Sequence, residues 1–410
     1  MTRSSEPHAP PSPFGLLPIR PHRLLFAAGA VNLCLSMAWW AVALFSLRWG
    51  LAAMPQTPLY SGWVHAFVWP YFVLAPFLFG FLLTVFPRWM SLTDYTRWDY
   101  VPIALGLASG QLLVLGAPWL GGAAMQVGLL FGAAAWLFGW LRLLDRLRQD
   151  RTACWHARSA ALAIAAGVLG MVLLLLHGWT GELRWMTGAI KLGLFGVLLP
   201  LYLTVAHRMF PFFANSVDRS YVMWRPTGLL GMFWGYCFAH GVLDWIGAAR
   251  WLWMVDLPMA LCMATVLRRW WPKAGSPLIL RALFLGMLWL PTANLLFAAQ
   301  SLIDVLWNVG MLGRAPTHAL TIGLFGSLLI AMVTRVSRGH SGRMLEMGPI
   351  DRAAFFAMHA LAASRIAAEL GGDPLAWSAW LAVAWVLVIM PWMAQGLFFW
   401  STPRVDGKPG

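Results

Sequence analysis

Long apolar stretches separated by short polar ones run through the chain from residue 24 to residue 400. Most of them approach the roughly 20 residues that a helix needs to cross the hydrocarbon core of a bilayer. Strands of a membrane barrel would instead alternate apolar and polar residues in segments of about ten, and no such alternation occurs. The predicted spans are residues 24–46, 62–86, 100–119, 121–144, 157–177, 186–206, 226–247, 251–267, 278–300, 316–336, 352–370 and 376–399.

This pattern predicts an all-α, polytopic integral membrane protein with about 12 transmembrane helices. Residues 1–23 form a predicted cytoplasmic N-terminal arm, 24–400 a single transmembrane domain, and 401–410 a short cytoplasmic tail. The longest stretch between spans, 207–225, is too short to bury a core of its own. The short eighth span and the alanine-rich eleventh depart furthest from an ideal membrane helix.

Composition and charge agree with this prediction. Hydrophobic residues make up 60% of the chain and charged residues 11%, which excludes a water-soluble globule with a charged surface. If both termini face the cytoplasm, the inner side carries 23 of the 29 Lys and Arg residues and the outer side 5. The net charge of +14 therefore indicates topology and attraction to anionic lipid in the bilayer, and not nucleic-acid binding.

Several common classes of protein are excluded by missing motifs. The first 23 residues are polar and proline-rich, which predicts an uncleaved first span and no removed signal peptide. The four cysteines form no Cys-x-x-Cys or Cys-x-x-Cys-His, which excludes covalent c-type haem and argues against a disulfide framework. Neither a phosphate-binding Gly-x-x-x-x-Gly-Lys loop nor a Gly-x-Ser-x-Gly elbow occurs.

Histidines are the candidate chemical groups. Neutral imidazole binds haem iron and copper, and polar side chains inside a membrane are costly enough to indicate a role. For any single histidine, a hydrogen bond to a neighbouring helix is an equally good interpretation. For His177, a position at the membrane interface is favoured. His22 and His156 are predicted to be solvated or interfacial. The histidines predicted in the outer half of the membrane are His65, His177, His240 and His318.

The seventh span carries a polar face in the same outer layer. Tyr236, His240 and Asp244 are spaced i, i+4 and i+8, so they share one side of a helix. Asp244, one turn from His240, is predicted to orient its ring as a hydrogen-bond acceptor, or alternatively to face water at the helix end. Further polar residues predicted in this layer are Lys191, Asp256 and Asn294.

Residues 318–345 join an apolar helix entered through His318 to a basic loop that carries Gly339-His340-Ser341-Gly342-Arg343. This stretch resembles the signature of the NnrS family. Three further stretches are similar to elements of that family, and together the four cover most of the chain. They are residues 19–26, 80–89 and 208–213.

The resemblance implies a multi-pass protein of the bacterial inner membrane that binds haem and copper and belongs to the response to nitric oxide. The expected cofactor is non-covalent haem, the expected ligand is nitric oxide or a similar diatomic molecule, and the electron donor is unknown. One departure concerns the head of the second helix, where the family usually has His-Ala-His-Glu. This chain has His65-Ala66-Phe67-Val68, so two potential ligands are missing and copper is in doubt.

A faint recurrence at the inner ends of spans 2, 6 and 10 suggests an architecture. Residues 84–88, 204–208 and 332–335 each end an apolar run with arginine, four helices apart. Any inward-going helix gives a similar pattern, so the signal is weak. It allows three four-helix arcs, the arrangement of haem–copper oxidase core subunits.

In those oxidases, a haem is held between histidines of helices 2 and 10, and copper is held by histidines of helices 6 and 7. We use this arrangement as an analogy for the present chain. The chain offers His65 on span 2, His318 on span 10 and His240 on span 7, whereas span 6 offers Lys191. The adjacent histidine pair that oxidases need is absent, which disfavours dioxygen reduction. We therefore predict a haem ligated by His65 and His318, with His240 nearby as a further haem or metal ligand.

Other residues are predicted to support this site. His340 and Arg343 are expected to pair with haem propionates or with an anionic ligand. Equally, they can be interpreted as basic residues that anchor the cytoplasmic side of the membrane domain. An alternative function is secondary transport through the outer-half polar layer, although no six-plus-six repeat is evident. The sequence leaves open whether nitric oxide is turned over or only bound. The predicted supporting residues are Asp244, Tyr236, Lys191, Arg343 and His340.

Overall fold

A computed structural model of the chain describes residues 13–51, 54–55 and 58–408, and helices form its regular structure, without β-strands in those ranges. Two short helical segments, Pro13–Leu16 and Leu17–Ile19, come first. Twelve longer helices follow at the predicted positions. They are α1 (Pro21–Trp49), α2 (Ser61–Trp89), α3 (Val101–Leu120), α4 (Gly122–Gln149), α5 (Trp155–Thr180), α6 (Leu183–Val217), α7 (Gly228–Trp245), α8 (Trp253–Trp270), α9 (Leu278–Trp307), α10 (Ala315–His340), α11 (Pro349–Ala367) and α12 (Pro374–Ser401).

Nine helices of the described chain are long and apolar enough to cross a membrane. This confirms the prediction of an all-helical, multi-pass membrane protein. The helices outside this set are α7, α8 and α11, of 18, 18 and 19 residues. Each carries buried or half-buried polar residues, such as His240, Asp256 and His359, that lower its hydropathy. Twelve crossings therefore stay a prediction.

The beginning of α1 and the end of α12 lie at the same end of the bundle. The Arg23 guanidinium donates to the backbone carbonyls of Trp400 and Thr402, at 3.2 and 3.0 Å. At the opposite end, Arg48 pairs with Asp373 at 2.7 Å. We name the first of these the terminal end and the second the distal end.

Helices α2, α6 and α10 are the central ones. Between 67% and 83% of their most apolar stretch is buried, against 33% to 56% for the other six candidate spans. Each is interrupted by a π-helical segment, at Trp69–Val73, Leu192–Leu198 and Ala319–Gly326. π-Helical turns are rare and often mark functional sites. The three helices that carry the weak recurrence at their inner ends thus also share this distortion nearer their other ends.

Loops at the terminal end are held by surface ion pairs. Asp218, after α6, lies 2.8 Å from the ammonium of Lys273, in the loop between α8 and α9. Hydrogen bonds from Lys273 and Ser220 lower the pKa of the Asp218 carboxyl to about 2. This carboxylate is therefore ionised at every pH at which the protein is expected to work.

Close packing between α2 and α5 depends on a glycine. A Cβ added at Gly170 would lie 1.8 Å from the Tyr71 hydroxyl, which is fixed by donating to the Ala189 carbonyl at 2.7 Å. Gly170→Ala is therefore expected to lower the free energy of unfolding by roughly 1–3 kcal/mol, as overpacking does. Gly231→Ala is the control, because its added Cβ meets nothing within 4 Å. Thermal unfolding in detergent measures both, and equal midpoints for the two variants would contradict the packing argument.

Candidate cofactor site

The structure brings His65 and His318 together at the distal end. His65 is the fifth residue of α2, and His318 immediately precedes the π-helical segment of α10. The two imidazoles are electrostatic neighbours, and the guanidinium groups of Arg314 and Arg365 lie near both. Two side chains that the sequence predicts as ligands therefore lie within electrostatic range of each other on two central helices.

Aromatic side chains surround His65. Its ring stacks on Trp40 of α1 with 4.3 Å between centroids and an interplanar angle of 15°. Trp69 meets it edge-on at 6.2 Å and packs in turn against Trp385 of α12 at 5.5 Å. The Nδ1 atom of His65 is buried and has no hydrogen-bond partner. Nε1 of Trp69 is likewise buried without a partner, so two unsatisfied ring nitrogens lie among these aromatic contacts.

His318 is oriented by its own helix. Its Nδ1 lies 2.9 Å from the carbonyl oxygen of Arg314. Because a carbonyl only accepts hydrogen bonds, Nδ1 carries the proton in this contact and Nε2 keeps its lone pair. A backbone carbonyl on one ring nitrogen is a common way of orienting a histidine whose other nitrogen binds a metal.

His240 belongs to a second, fully buried group. Its Nδ1 lies 3.0 Å from Oδ1 of Asp256 on α8, and the Tyr236 hydroxyl donates to the same oxygen at 2.8 Å. The prediction that Asp244 orients His240 is wrong, because Asp244 forms an ion pair with Lys191 of α6. Sequence spacing finds neighbours on one helix, whereas the partner of His240 comes from the next helix.

Asn294 of α9 completes this group. Its Oδ1 is placed 2.9 Å from the Tyr236 hydroxyl, which already donates to Asp256. One hydroxyl proton cannot serve two acceptors, and Nδ2 of Asn294 has no partner. Exchanging the amide O and N resolves the conflict at Tyr236, because Nδ2 then donates to its hydroxyl, and the amide oxygen takes the position without a partner. The hydrogen bonds then all point toward Asp256, while Asp256 Oδ2 and His240 Nε2 remain unpaired.

The ring of His240 is held between two phenylalanines. It stacks on Phe195, in the π-helical segment of α6, at 4.0 Å, and Phe297 of α9 meets it edge-on at 4.7 Å. These contacts, with Tyr236 and Asp256, connect His240 to α6, α7, α8 and α9. His65 instead contacts tryptophans of α1 and α2. The predicted ligands thus form a His65–His318 pair and a separate His240 group.

Within residues 13–51, 54–55 and 58–408, no group of three or more His, Cys, Asp or Glu side chains is arranged to hold a metal ion. Phe67 and Val68, at the positions of the missing His and Glu, are fully buried.

Residues 19–404, nearly the whole chain, match the family model described as NnrS protein. The chain belongs to the NnrS family. This confirms the resemblance drawn from the four sequence stretches. A comparison with curated proteins finds no match.

Three NnrS-like stretches meet at the terminal end, far from His318. His22 lies 3.4 Å from the Thr84 hydroxyl, and its ring packs on His340 with 4.3 Å between centroids. The Arg343 guanidinium lies 4.0 Å above the Phe399 ring. His318 and His340 are 22 residues apart on α10, or roughly 33 Å. The predicted role of His340 and Arg343 beside a haem at His65 and His318 is therefore wrong.

A further histidine pair joins α5 to α6 in this NnrS protein. His207 Nε2 donates to the Pro226 carbonyl at 3.1 Å, so its Nδ1 accepts from His156 Nε2 at 2.8 Å. His156 Nδ1 then accepts from Arg208 at 3.4 Å. Both His156 and His22 were predicted to be solvated or interfacial; they are buried in the protein, so the solvated alternative is wrong. Their positions near helix starts gave no signal of burial, because the partners come from distant parts of the chain.

Proposed function

We propose that this NnrS family member binds haem at its distal end, and that the haem protein binds nitric oxide and protects a bacterial cell from nitrosative stress. The inner membrane is its proposed location, with both termini in the cytoplasm. The observation that supports this proposal most directly is the electrostatic interaction between His65 of α2 and His318 of α10.

The residues present fit a haem. His318 keeps a free Nε2, and His65 has an unsatisfied ring nitrogen. The indole ring of Trp40 stacks on His65 and supplies an apolar wall. Arg314 supplies positive charge near both histidines, where haem carboxylates need it, whereas Arg365 is already paired with Glu369 at 2.6 Å. Bound haem iron would supply the centre to which a diatomic ligand attaches.

A diatomic ligand needs an open position, so one of the two histidines must be able to withdraw. His318 is fixed by its hydrogen bond to Arg314. His65 has no hydrogen bond on Nδ1 and is held by ring packing against Trp40. We infer that His318 would remain bound to the haem iron, and that His65 would withdraw when a diatomic ligand binds.

Spectra of the purified protein after haem-replete expression test this proposal. Wild-type protein is expected to show a Soret band with near-stoichiometric iron that shifts with nitric oxide. His318→Ala is expected to lose most of its haem, and His65→Ala to keep more haem with a shifted band. His177→Ala, at the same end, is the control and is expected to match wild type. Unchanged haem content and Soret position in both variants would overturn the assignment.

Copper is a separate part of the proposal. His240 is the remaining candidate ligand, because its Nε2 is free and Asp256 orients its ring. The expected result is copper that decreases in His240→Phe while haem does not change. Wild-type protein that contains haem and no copper would remove copper from the proposed function.

Secondary transport is the second candidate function. The half-buried pair of Lys191 and Asp244 and the buried pair of His240 and Asp256 favour it, because intramembrane ionisable residues often line ion or substrate paths. Protein that stays free of haem and metal after haem-replete expression, and that moves protons across vesicles, would favour transport over haem binding.

A further inference from the structure

A narrow crevice lies between the central helices α2, α6 and α10, in the half of the bundle nearer the terminal end, and its volume is about 70 Å³. Its walls are apolar apart from the hydroxyl of Tyr202, which donates to the Phe325 carbonyl at 3.4 Å. Along α10 the lining runs from Leu328 to Val336, or roughly 12 Å. The crevice is therefore long and apolar, a shape that fits an unbranched hydrocarbon chain better than it fits water.

A small basic cavity follows the crevice toward the terminal end. It has a volume of about 10 Å³, and His22, Arg88 and His340 are among its lining residues. On α1, His22 lies one turn from Phe26 of the crevice, and on α10, His340 lies one turn from Val336. The rings of His22 and Phe26 meet edge-on at 6.1 Å, and those of His22 and His340 pack at 4.3 Å between centroids. An apolar space and a polar one thus lie one helical turn apart along the same helices.

The hydrogen bonding of His22 follows from its contact with Thr84. The Thr84 hydroxyl donates to the Gly80 carbonyl at 2.7 Å, so its oxygen can only accept from His22 Nδ1, at 3.4 Å. In the neutral ring the proton is then on Nδ1, and Nε2 keeps its lone pair. Nε2 has no hydrogen-bond partner among the described residues, and it is accessible, unlike the enclosed Nδ1 of His65. A histidine that is only 2% exposed therefore presents an unused acceptor to the basic cavity.

Positive charge surrounds this acceptor. Arg20 and Arg88 are electrostatic neighbours of both His22 and His340. Arg20 pairs with Asp94 at 2.8 Å, whereas Arg88 is exposed at the cavity and forms no ion pair with a described residue. A ligand that satisfies both His22 and Arg88 must donate one hydrogen bond and accept another. A carboxylic acid does both, because it has an O–H and a second oxygen.

We propose that the crevice and the basic cavity together bind a fatty acid. Its acid O–H donates to His22 Nε2, its second oxygen accepts from the Arg88 guanidinium, and its chain lies in the crevice. The basic cavity has room for about one water molecule, which fits a carboxyl group better than the phosphodiester and glycerol of a phospholipid. Thr84 is a positioning residue, because its contact leaves Nε2 of His22 as the acceptor.

Equilibrium dialysis of the whole protein in phosphatidylcholine nanodiscs tests this proposal, with protein-free nanodiscs as the background. The probes are decanoic acid and 1-decanol, which share a chain and differ in the polar group. We expect the acid to bind at least about tenfold more tightly than the alcohol, the effect of one hydrogen bond to a charged group. His22→Phe and Arg88→Met are each expected to reduce this difference. Val205→Trp, in the crevice wall, is expected to weaken both probes, and Val172→Trp, exposed on α5, is the matched control.

Several results would overturn the proposal. Equal binding of acid and alcohol by wild type would show a crevice that selects only an apolar chain. Selectivity that survives in Arg88→Met and His22→Phe would place the carboxyl group elsewhere, and binding unaffected by Val205→Trp would place the chain elsewhere. Displacement of decanoic acid by an equimolar amount of phosphatidylglycerol would assign the site to a phospholipid. Each variant must elute as wild type does from a sizing column, and Arg88→Met, at an exposed position, carries the test if His22→Phe does not fold.

The proposed haem site and this fatty-acid site are tested separately. Arg88→Met is expected to keep wild-type haem content, since Arg88 lies at the terminal end and the proposed haem ligands lie at the distal end. Protein that prefers the acid and takes up no haem would overturn the proposed function and leave the fatty-acid site standing. Haem-containing protein with no preference for the acid would do the reverse.

Discussion

Asp351→Ala is expected to lower the free energy of unfolding by about 3–5 kcal/mol, as the breaking of a buried ion pair does. Asp351 is only 1% exposed, and its Oδ2 accepts from Arg338 Nη2 at 2.7 Å and Nε at 3.1 Å. The same oxygen accepts from the Gly348 backbone at 2.9 Å, and Oδ1 accepts from Gln395 at 2.6 Å. Alanine leaves the Arg338 charge buried without a partner at the junction of α10, α11 and α12.

Chemical or thermal unfolding in detergent, followed by tryptophan fluorescence, measures this loss. Asp94→Ala is the matched control, because Asp94 pairs with Arg20 at 2.8 Å but is half exposed. Exposed pairs contribute about 0–1 kcal/mol. Similar losses in the two variants would show that burial of the Asp351 pair has no energetic importance.

Asp256→Ala is expected to cost about 2–4 kcal/mol. The substitution removes the acceptor shared by His240 and Tyr236, which are buried on α7 and lie 3.0 and 2.8 Å from it. Both donors are then left in an apolar interior that water does not fill easily. Tyr236→Phe removes one donor and keeps the ring, so its expected cost is nearer 1 kcal/mol.

A double-mutant cycle with His240→Phe separates the contact from general damage. The His240–Asp256 coupling energy is expected to lie within about 0.5–3 kcal/mol, the range for residues in direct contact. Asp145→Ala, at an exposed position, supplies the background effect of losing a carboxylate. Additive effects of His240→Phe and Asp256→Ala would contradict the hydrogen bond between them.

Helix positions were predictable because each long apolar run has one stable solution in a bilayer. Contacts between helices were not predictable from these apolar runs. Asp256 was predicted in the same layer as His240 from its position in the eighth span, but their pairing depends on how α7 and α8 pack. The pairing of His156 with His207 depends in the same way on α5 and α6.

One sequence signal for the central helices is visible once the fold is known. Leu-Phe-Gly-x-Leu-Leu occurs once in each of α2, α6 and α10, at 78–83, 194–199 and 324–329. Its phenylalanines pack on different partners, with Phe195 against His240 and Phe325 against Tyr202. So short an apolar motif predicts little by itself, and only its occurrence on each of the three enclosed helices gives it meaning.

The π-helical segments also affect how this architecture can vary. Each additional residue in a helix turns everything beyond it by about 100°. His65, Lys191 and His318 all lie just on the distal side of such a segment. Gaining or losing a single residue there would therefore swing a different side chain toward the bundle axis while the terminal half keeps its packing. Relatives can exchange the groups at this end through chain length as well as through substitution.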